Sequence, residues 1–327
     1  MKTRPFGKTG FEITEIALGT WQLGSRWGDP FDKKIAFDTL STAQSCGINA
    51  LDTADVYQGG LSEKTIGQYN KTAKNPPFVI TKIGRKLPKQ DTKLYTKEAL
   101  EAYIHDSRQR LQVDSLDMVL LHCPPTDLYQ HQEIFGYMDG FKQQGIIKHY
   151  GVSIEKIEEG LEAMKYPGVE AIEVIFNMFR LKPLEQLIPM AKEKHVGIIV
   201  RVPLASGLLT GKYTKDTTFG PHDHRTFNRH GESFDKGETF SGVPYDIGLQ
   251  AVEELKKIFP QGQLAPYALR WILMFDGVST VIPGASRPEQ ILENIKAAEL
   301  PPLTDQMMKD VERIYNTFIK PHVHHLW

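Results

Sequence analysis

Cysteine is scarce in this sequence. Its 327 residues hold two, Cys46 and Cys123, too few for a disulfide framework, and that scarcity fits a reducing compartment. Surplus charge is also lacking: 39 Lys and Arg against 40 Asp and Glu leave a net charge of −1. Such a balance gives no support to general binding of nucleic acid or of an acidic membrane surface. The opening MKTRPFGKTG lacks the apolar run of a secretion signal. No stretch of about 18 apolar residues occurs, so no membrane span is expected. These absences point to a cytoplasmic protein that works on small molecules. A glycine fingerprint is missing too, because the first apolar run is followed by GTWQLGSRWG rather than G-x-G-x-x-G. GLLTGKY has three residues between its glycines and a Tyr after its Lys, so it is not a phosphate-binding P-loop.

What is present is an alternation. RPFGKTGFEITEIALGT reads as a small β-hairpin around Lys8-Thr9-Gly10. After it, eight short apolar runs (EIALGT, INALDT, PFVITK, LDMVLLH, KHYGVS, EAIEVIF, VGIIVRV and VSTVIPG) are separated by segments with apolar residues at helical spacing. The helical patterns cover 33–46, 62–72, 96–112, 130–145, 154–165, 183–195, 263–276 and 287–298. Gly47 and Gly145 suit left-handed C-terminal caps, Thr96 suits an N-cap, and Pro266 suits a first helical turn. Strands rich in Val, Ile and Leu, each followed by a helix, predict parallel strands buried on both faces. Eight such units fit a closed (β/α)₈ TIM barrel, an α/β fold, better than an open doubly wound sheet, and barrels of this type exceed ~250 residues as one unit. One domain over residues 1–327 is expected, with no interdomain linker. Residues 212–246, after the seventh strand, are polar and aperiodic, which predicts a lid, a binding loop or disorder. A last helix is expected near 304–318, followed by a tail ending KPHVHHLW, whose Trp327 either reaches the barrel mouth or frays.

In a parallel barrel, reactive groups gather where strands end. The second, third and fourth strands end at Asp52, Lys82 and His122, and Tyr57 follows Asp52 by five residues. Singly, these are a turn-forming Asp, a solvent-seeking Lys, a structural His and a packing Tyr. On three consecutive strands of one barrel they form a set suited to moving a proton onto a carbonyl oxygen. A free phenol titrates near ~10, and a nearby ammonium is expected to lower that value. Asp52 would hold Lys82, while His122 would donate to the oxygen that Tyr57 protonates. Side chains supply no hydride, whereas a nicotinamide does. Two histidine clusters, His222, His224 and His230 and then His322, His324 and His325, lack the spacing of a closed metal site, so no metal is expected.

GINALDTADVYQGGLSE, with Asp52, Tyr57, Lys82 and His122 in that order, resembles the aldo-keto reductase superfamily, and the likeness runs to VIPGASRPEQILEN. RVPLASGLLTGKY and the spacing around GVS further resemble bacterial members related to sugar- or inositol-derived substrates. The resemblance implies an extended nicotinamide dinucleotide across the barrel mouth and those four residues as the catalytic set. It implies that Ser153 and Glu173 meet the nicotinamide amide, with Glu173 where the family has Gln and Ile154 where it often has Asn. It puts Arg201 where many members stack a Tyr on nicotinamide, with Pro203 and Leu204 beside it, and matches Phe176-Asn177 to a Tyr-Asn pair. It assigns Gly284, Ser286, Arg287, Gln290 and Asn294 to the adenosine end, Gln290 replacing a frequent Arg, and Trp21 to the substrate pocket wall. The implied cofactor is NADP(H), with NAD(H) second, and the implied activity interconverts carbonyls and alcohols. A Schiff-base lyase using Lys82, and a cofactor-binding regulatory protein like the potassium-channel beta subunits, are the alternatives.

Overall fold

Side chains alternate along each strand, and two separate apolar clusters result. In the computed structural model, which describes residues 1–25 and 28–327, a hairpin of β1 (Thr3–Pro5) and β2 (Glu12–Thr14) precedes an eight-stranded parallel sheet. The sheet runs in sequence order from β3 (Leu18–Gly19) through β4 (Ala50–Asp52), β5 (Phe78–Ile83), β6 (Leu116–His122), β7 (Ile147–Ser153), β8 (Val169–Ile175) and β9 (Gly197–Arg201) to β10 (Thr280–Val281). Parallel bridges from Ile16 to Val281 and from Gly19 to Gly284 join the first strand to the last, closing the barrel. One parity of each strand, such as Ala50, Ile80, Met118, Leu120, Ala171 and Ile199, packs into an inner cluster. The other parity, such as Leu51, Val79, Val119, Ile172 and Val200, packs into the cluster shared with the helices. Both faces are therefore dry, and the strands are continuous apolar runs for that reason.

The helical layer comprises α1 (Lys33–Ser45), α2 (Leu61–Asn70), α3 (Lys97–Leu111), α4 (Gln132–Gln143), α5 (Ile157–Ala163) and α6 (Leu187–Glu193). It continues with a single turn, α7 (His224–Phe227), then α8 (Tyr245–Leu255), α9 (Leu264–Leu273), α10 (Pro288–Glu299), α11 (Asp305–Ile314) and α12 (Lys320–Val323). Thr96 caps α3 by accepting from the Ala99 N–H at 3.2 Å, and Gly47 and Gly145 adopt left-handed φ of +81° and +71° past α1 and α4. No helix among the described residues is long and apolar enough to cross a membrane.

Helix α8 has no counterpart in the expected pattern. Its buried face is Gly248, Ala251, Val252 and Leu255, spaced as i, i+3, i+4 and i+7, but it begins on two small residues that carry little hydrophobic signal. Gly248 is small because Leu208 packs where a Cβ would sit. Residues 212–246 hold α7 and two 3₁₀ turns, Lys236–Glu238 and Phe240–Gly242. The first and last barrel strands are shorter than their apolar runs, two residues each, since their ladder ends in the bridges of the seam.

The hairpin plugs the barrel floor with the fully buried Phe6 and Ile13. Arg4 fastens it there, donating to the carbonyls of Phe275 at 3.0 Å, Val278 at 2.8 Å and Leu273 at 2.6 Å, and to Glu15 at 2.7 Å.

Candidate active site

The parity that fills the inner cluster also builds the mouth. Two residues past Ala50, Ile80, Leu120, Gly151, Ala171 and Ile199, and so on the same face, stand Asp52, Lys82, His122, Ser153, Glu173 and Arg201. Six adjacent strands thus contribute one polar layer above the apolar one. Asp52, Lys82, His122, Ser153, Glu173 and Arg201 are all buried. Lys82 Nζ donates to Asp52 Oδ1 at 2.7 Å and Oδ2 at 2.6 Å, to the Thr53 carbonyl at 3.1 Å and to Tyr57 Oη at 3.3 Å. Tyr57 opens the turn Tyr57–Gly60, where Gln58, Gly59 and Gly60 at φ +50°, +66° and +95° bend the chain back over the strand ends. His122 approaches the Tyr57 ring edge-on with centroids 6.1 Å apart, and Trp21 stacks on the Tyr57 ring at 6.1 Å.

Glu173 does more than the sequence reading assigned. Its Oε2 lies 3.3 Å from Lys82 Nζ and its Oε1 accepts from Ser153 Oγ at 3.3 Å, so the ammonium is flanked by two carboxylates. Burial opposes the Lys82 charge, but Asp52 and Glu173 more than offset it and raise its pKa, keeping it an ammonium. Burial and Glu173 raise the Asp52 carboxyl against the pull of Lys82. For Tyr57 the expected lowering is reversed: burial pushes the phenol above its ordinary value, Asp52 and Glu173 add to the rise, and Lys82 only moderates it. Burial, reinforced by Arg85, Lys82 and Arg201, holds His122 well below its ordinary pKa as a neutral imidazole.

Two cavities meet at Tyr57, His122, Trp21 and Glu238. The first, about 310 Å³, runs past Glu173, Arg201, Pro203, Leu204, Gly284 and Gln290. It is bounded by the loop after β9, where Val202, Ala205 and Ser206 hold φ of +50°, +46° and +54°. A β-branched residue in that region is strained, a feature that clusters at functional sites. Arg201 is pinned by Glu155 at 3.0 Å and Glu238 at 3.4 Å and donates to the Ile154 carbonyl at 3.0 Å. Its Nε and Glu173 Oε2 are buried without a hydrogen bond. At the far end, Gln290 accepts from the Ser286 N–H at 2.7 Å, Asn294 donates to the Gly284 carbonyl at 3.4 Å, and Arg287 lies 3.5 Å from Glu289. Ser286, Arg287 and Asn294 are not among the residues that line the cavity there. Asn177 knots the strand ends, donating to Val202 O at 2.9 Å and Ser241 Oγ at 2.8 Å.

The second cavity, about 560 Å³, contains residues that the sequence reading missed: Arg85, Glu155 and Glu238. Arg85 Nη2 donates to Glu238 Oε1 at 2.6 Å. Burial alone would raise the Glu238 carboxyl, yet Arg85 and Arg201 outweigh it and hold it at about 2. Burial lifts Glu155 to about 7, Arg201 opposing and Glu238 assisting. Among the described residues, Cys123, Glu155 and Glu238 bring possible metal-ligand atoms within 4.8 Å of one another, with the Arg201 guanidinium contacting all three. Arg85 and Glu155 carried a signal, each lying just beyond a strand end, whereas Glu238 sits in the aperiodic segment and carried none. Of the expected histidine clusters, His224 packs on Trp21 with centroids 5.2 Å apart and His324 pairs with Glu185 at 3.0 Å.

A model of the aldo/keto reductase family matches residues 15–316. The NADH-specific methylglyoxal reductase of Escherichia coli (strain K12) is 27% identical over 92% of this chain and 94% of its own. The putative voltage-gated potassium channel subunit beta of Schizosaccharomyces pombe (strain 972 / ATCC 24843) is 30% identical over 96% of this chain and 94% of its own. The solved glycerol dehydrogenase AKR11B4 of Gluconobacter oxydans superposes with a TM-score of 0.77 at 26% identity, covering 98% of this chain and 96% of that one. With a barrel closed end to end and a family match over nearly its full length, the chain belongs to the aldo/keto reductase family of oxidoreductases.

Proposed function

We propose that this chain is an NADP(H)-dependent oxidoreductase interconverting an aldehyde or ketone, sugar-derived compounds included, with the alcohol, on one barrel domain spanning residues 1–327. The observation that carries the reading is Lys82 Nζ, chelated by Asp52 at 2.6 and 2.7 Å and 3.3 Å from Tyr57 Oη, at the meeting point of two cavities. Its low thiol content favours the cytoplasm as its location.

Tyr57 acts as the general acid that delivers a proton to the carbonyl oxygen, and as the base in reverse. The neutral His122 donates a hydrogen bond to the same oxygen and polarises it. Lys82 steadies the negative charge left on the phenol, and Asp52 holds Lys82 in place. A phenol raised by burial remains protonated throughout the neutral range, so the resting site is prepared for reduction. The buried Arg201 Nε and Glu173 Oε2, both without a hydrogen bond though the latter is ion-paired with Lys82, fit a nicotinamide. Ser153 and Glu173 would hold its carboxamide, Arg201, Pro203 and Leu204 its ring, and Gly284, Ser286, Arg287, Gln290 and Asn294 the adenosine end. When bound, it supplies the hydride that the side chains lack. The Arg201 cation disfavours an oxidised, positively charged ring, again leaning towards reduction. One guanidinium, Arg287, is left for a 2′-phosphate, so NAD(H) is the alternative cofactor.

The test is a carbonyl and sugar panel read by absorbance of the reduced nicotinamide, with both cofactors in parallel. Turnover is expected. Tyr57→Phe is expected to lower the rate by about 10²–10⁴-fold while leaving cofactor affinity nearly intact, and a variant keeping most of its rate removes Tyr57 from this role. A second reading, a cofactor-binding regulatory protein, is favoured by the 30% identity to the channel subunit; tight cofactor binding with no turnover across the panel selects it. A Schiff-base lyase is disfavoured, because Lys82 held as an ammonium has no lone pair for a carbonyl.

A further inference from the structure

Trp327 is buried to 4% exposure, far from Tyr57 in sequence, and the reaction as described gives it no part. Its Nε1 donates to Asp235 Oδ1 at 2.9 Å, and the Arg180 guanidinium lies 3.9 Å from its ring centroid. Gly242, at φ +75°, faces the indole, and a Cβ there would collide with it, while a Cβ at Gly237 would collide with Arg180 and Asp235 and press on the indole. The same Asp235 oxygen accepts from the Gly237 N–H at 2.7 Å and caps the turn Lys236–Glu238. Glu238 closes that turn and holds Arg85 at 2.6 Å and Arg201 at 3.4 Å. Arg180, under the ring, donates to the Glu155 carbonyl at 2.7 Å. The indole therefore touches both sides of the second cavity's charged wall, the turn that carries Asp235 and Glu238 and the arginine that braces Glu155.

From this geometry we infer that Trp327 is a positioning residue for the carbonyl substrate. It clasps the 235–242 turns against Arg180 and so fixes where Asp235, Glu238 and Arg85 stand opposite Tyr57 and His122. An N–H bond at one edge and a cation on one face orient the ring without any contact to the reacting atoms. This rests on the proposed carbonyl chemistry, but the clasp itself is read without turnover.

Two measurements on the full chain test it. In the first, timed trypsin digestion follows cleavage after Lys236. The wild-type turn is expected to resist and Trp327→Ala to be cut about 10-fold faster or more, with Trp327→Phe, which keeps the ring but loses the N–H, in between. In the second, Trp327→Ala is expected to raise KM for the best panel substrate by about 10-fold, with kcat and the cofactor Kd each changing less than about twofold. Unchanged cleavage overturns the clasp. A KM that stays level, or that rises in step with the cofactor Kd, overturns the positioning role, since general loosening would move both. A wild-type protein that turns over nothing sinks the carbonyl reading, and with it the positioning role, while the cleavage rates still decide the clasp.

Discussion

Asp55 is fully buried between Asp52 and Tyr57, and neither of its carboxylate oxygens has a hydrogen-bond partner. Burial, with Glu63 of α2 beside it, raises its pKa to about 7, while Lys86 and Arg110 only moderate the rise. A folded value above the unfolded one means that the native state binds the extra proton. The contribution of Asp55 to stability is then greatest below about pH 4, is lost as pH rises through about 7, and changes no further above that. Asp55→Asn, which cannot ionise, is expected to be more stable than wild type by roughly 2–4 kcal/mol at pH 8 at ~1.4 kcal/mol per pKa unit. The gap should shrink towards pH 4, as thermal melts across that range would report; a constant gap removes the burial account. The polar layer shows what was legible at this scale. Asp52, Lys82 and His122 could be read from apolar runs that end on a polar residue. Arg201 ends such a run equally and Glu173 interrupts one, but their contacts with Lys82 and Glu155 needed the curvature of the wall, which no local pattern encodes.

At the scale of single elements, helix α3 is the plainest case, because Thr96, its apolar face and its ends are all local signals. Thr96→Ala removes the acceptor for the Ala99 N–H and is expected to cost ~1 kcal/mol. A denaturant midpoint should record that loss while KM and kcat stay put, since α3 lies outside the barrel wall. Where packing rather than pattern makes an element, the sequence was opaque. Helix α8 is built on Gly248 and Ala251 because Leu208 crowds it. The turns at Lys236–Glu238 and Phe240–Gly242 are held by Ser206, Asn177 and Trp327, residues remote in the chain. The phenol is the sharpest lesson of this kind: proximity to an ammonium was foreseeable, but the burial that outweighs it was not.

Across the whole molecule, the chemistry and the plugged floor are kept at opposite ends. Arg4 ties the floor to three carbonyls before β10 and to Glu15, away from the mouth. Arg4→Met strands these acceptors and is expected to cost ~2–4 kcal/mol. A lowered melting temperature with unaltered kcat and KM would bear this out, and a matching loss of kcat would show the two ends to be coupled. The barrel itself could be anticipated from eight apolar runs alternating with helices. Its seam, two residues of strand on either side, could not, because apolar runs of ordinary length gave no hint of so short a ladder.

That seam dictates an order of events during synthesis. A ribosome releases Ile16 long before Val281, its partner across the join. In the interval the growing sheet can curl but has two bare margins, each a template for pairing with a neighbouring nascent chain. Sealing therefore falls to the last strand to emerge, and chains stalled before residue 280 should stick to one another rather than wait.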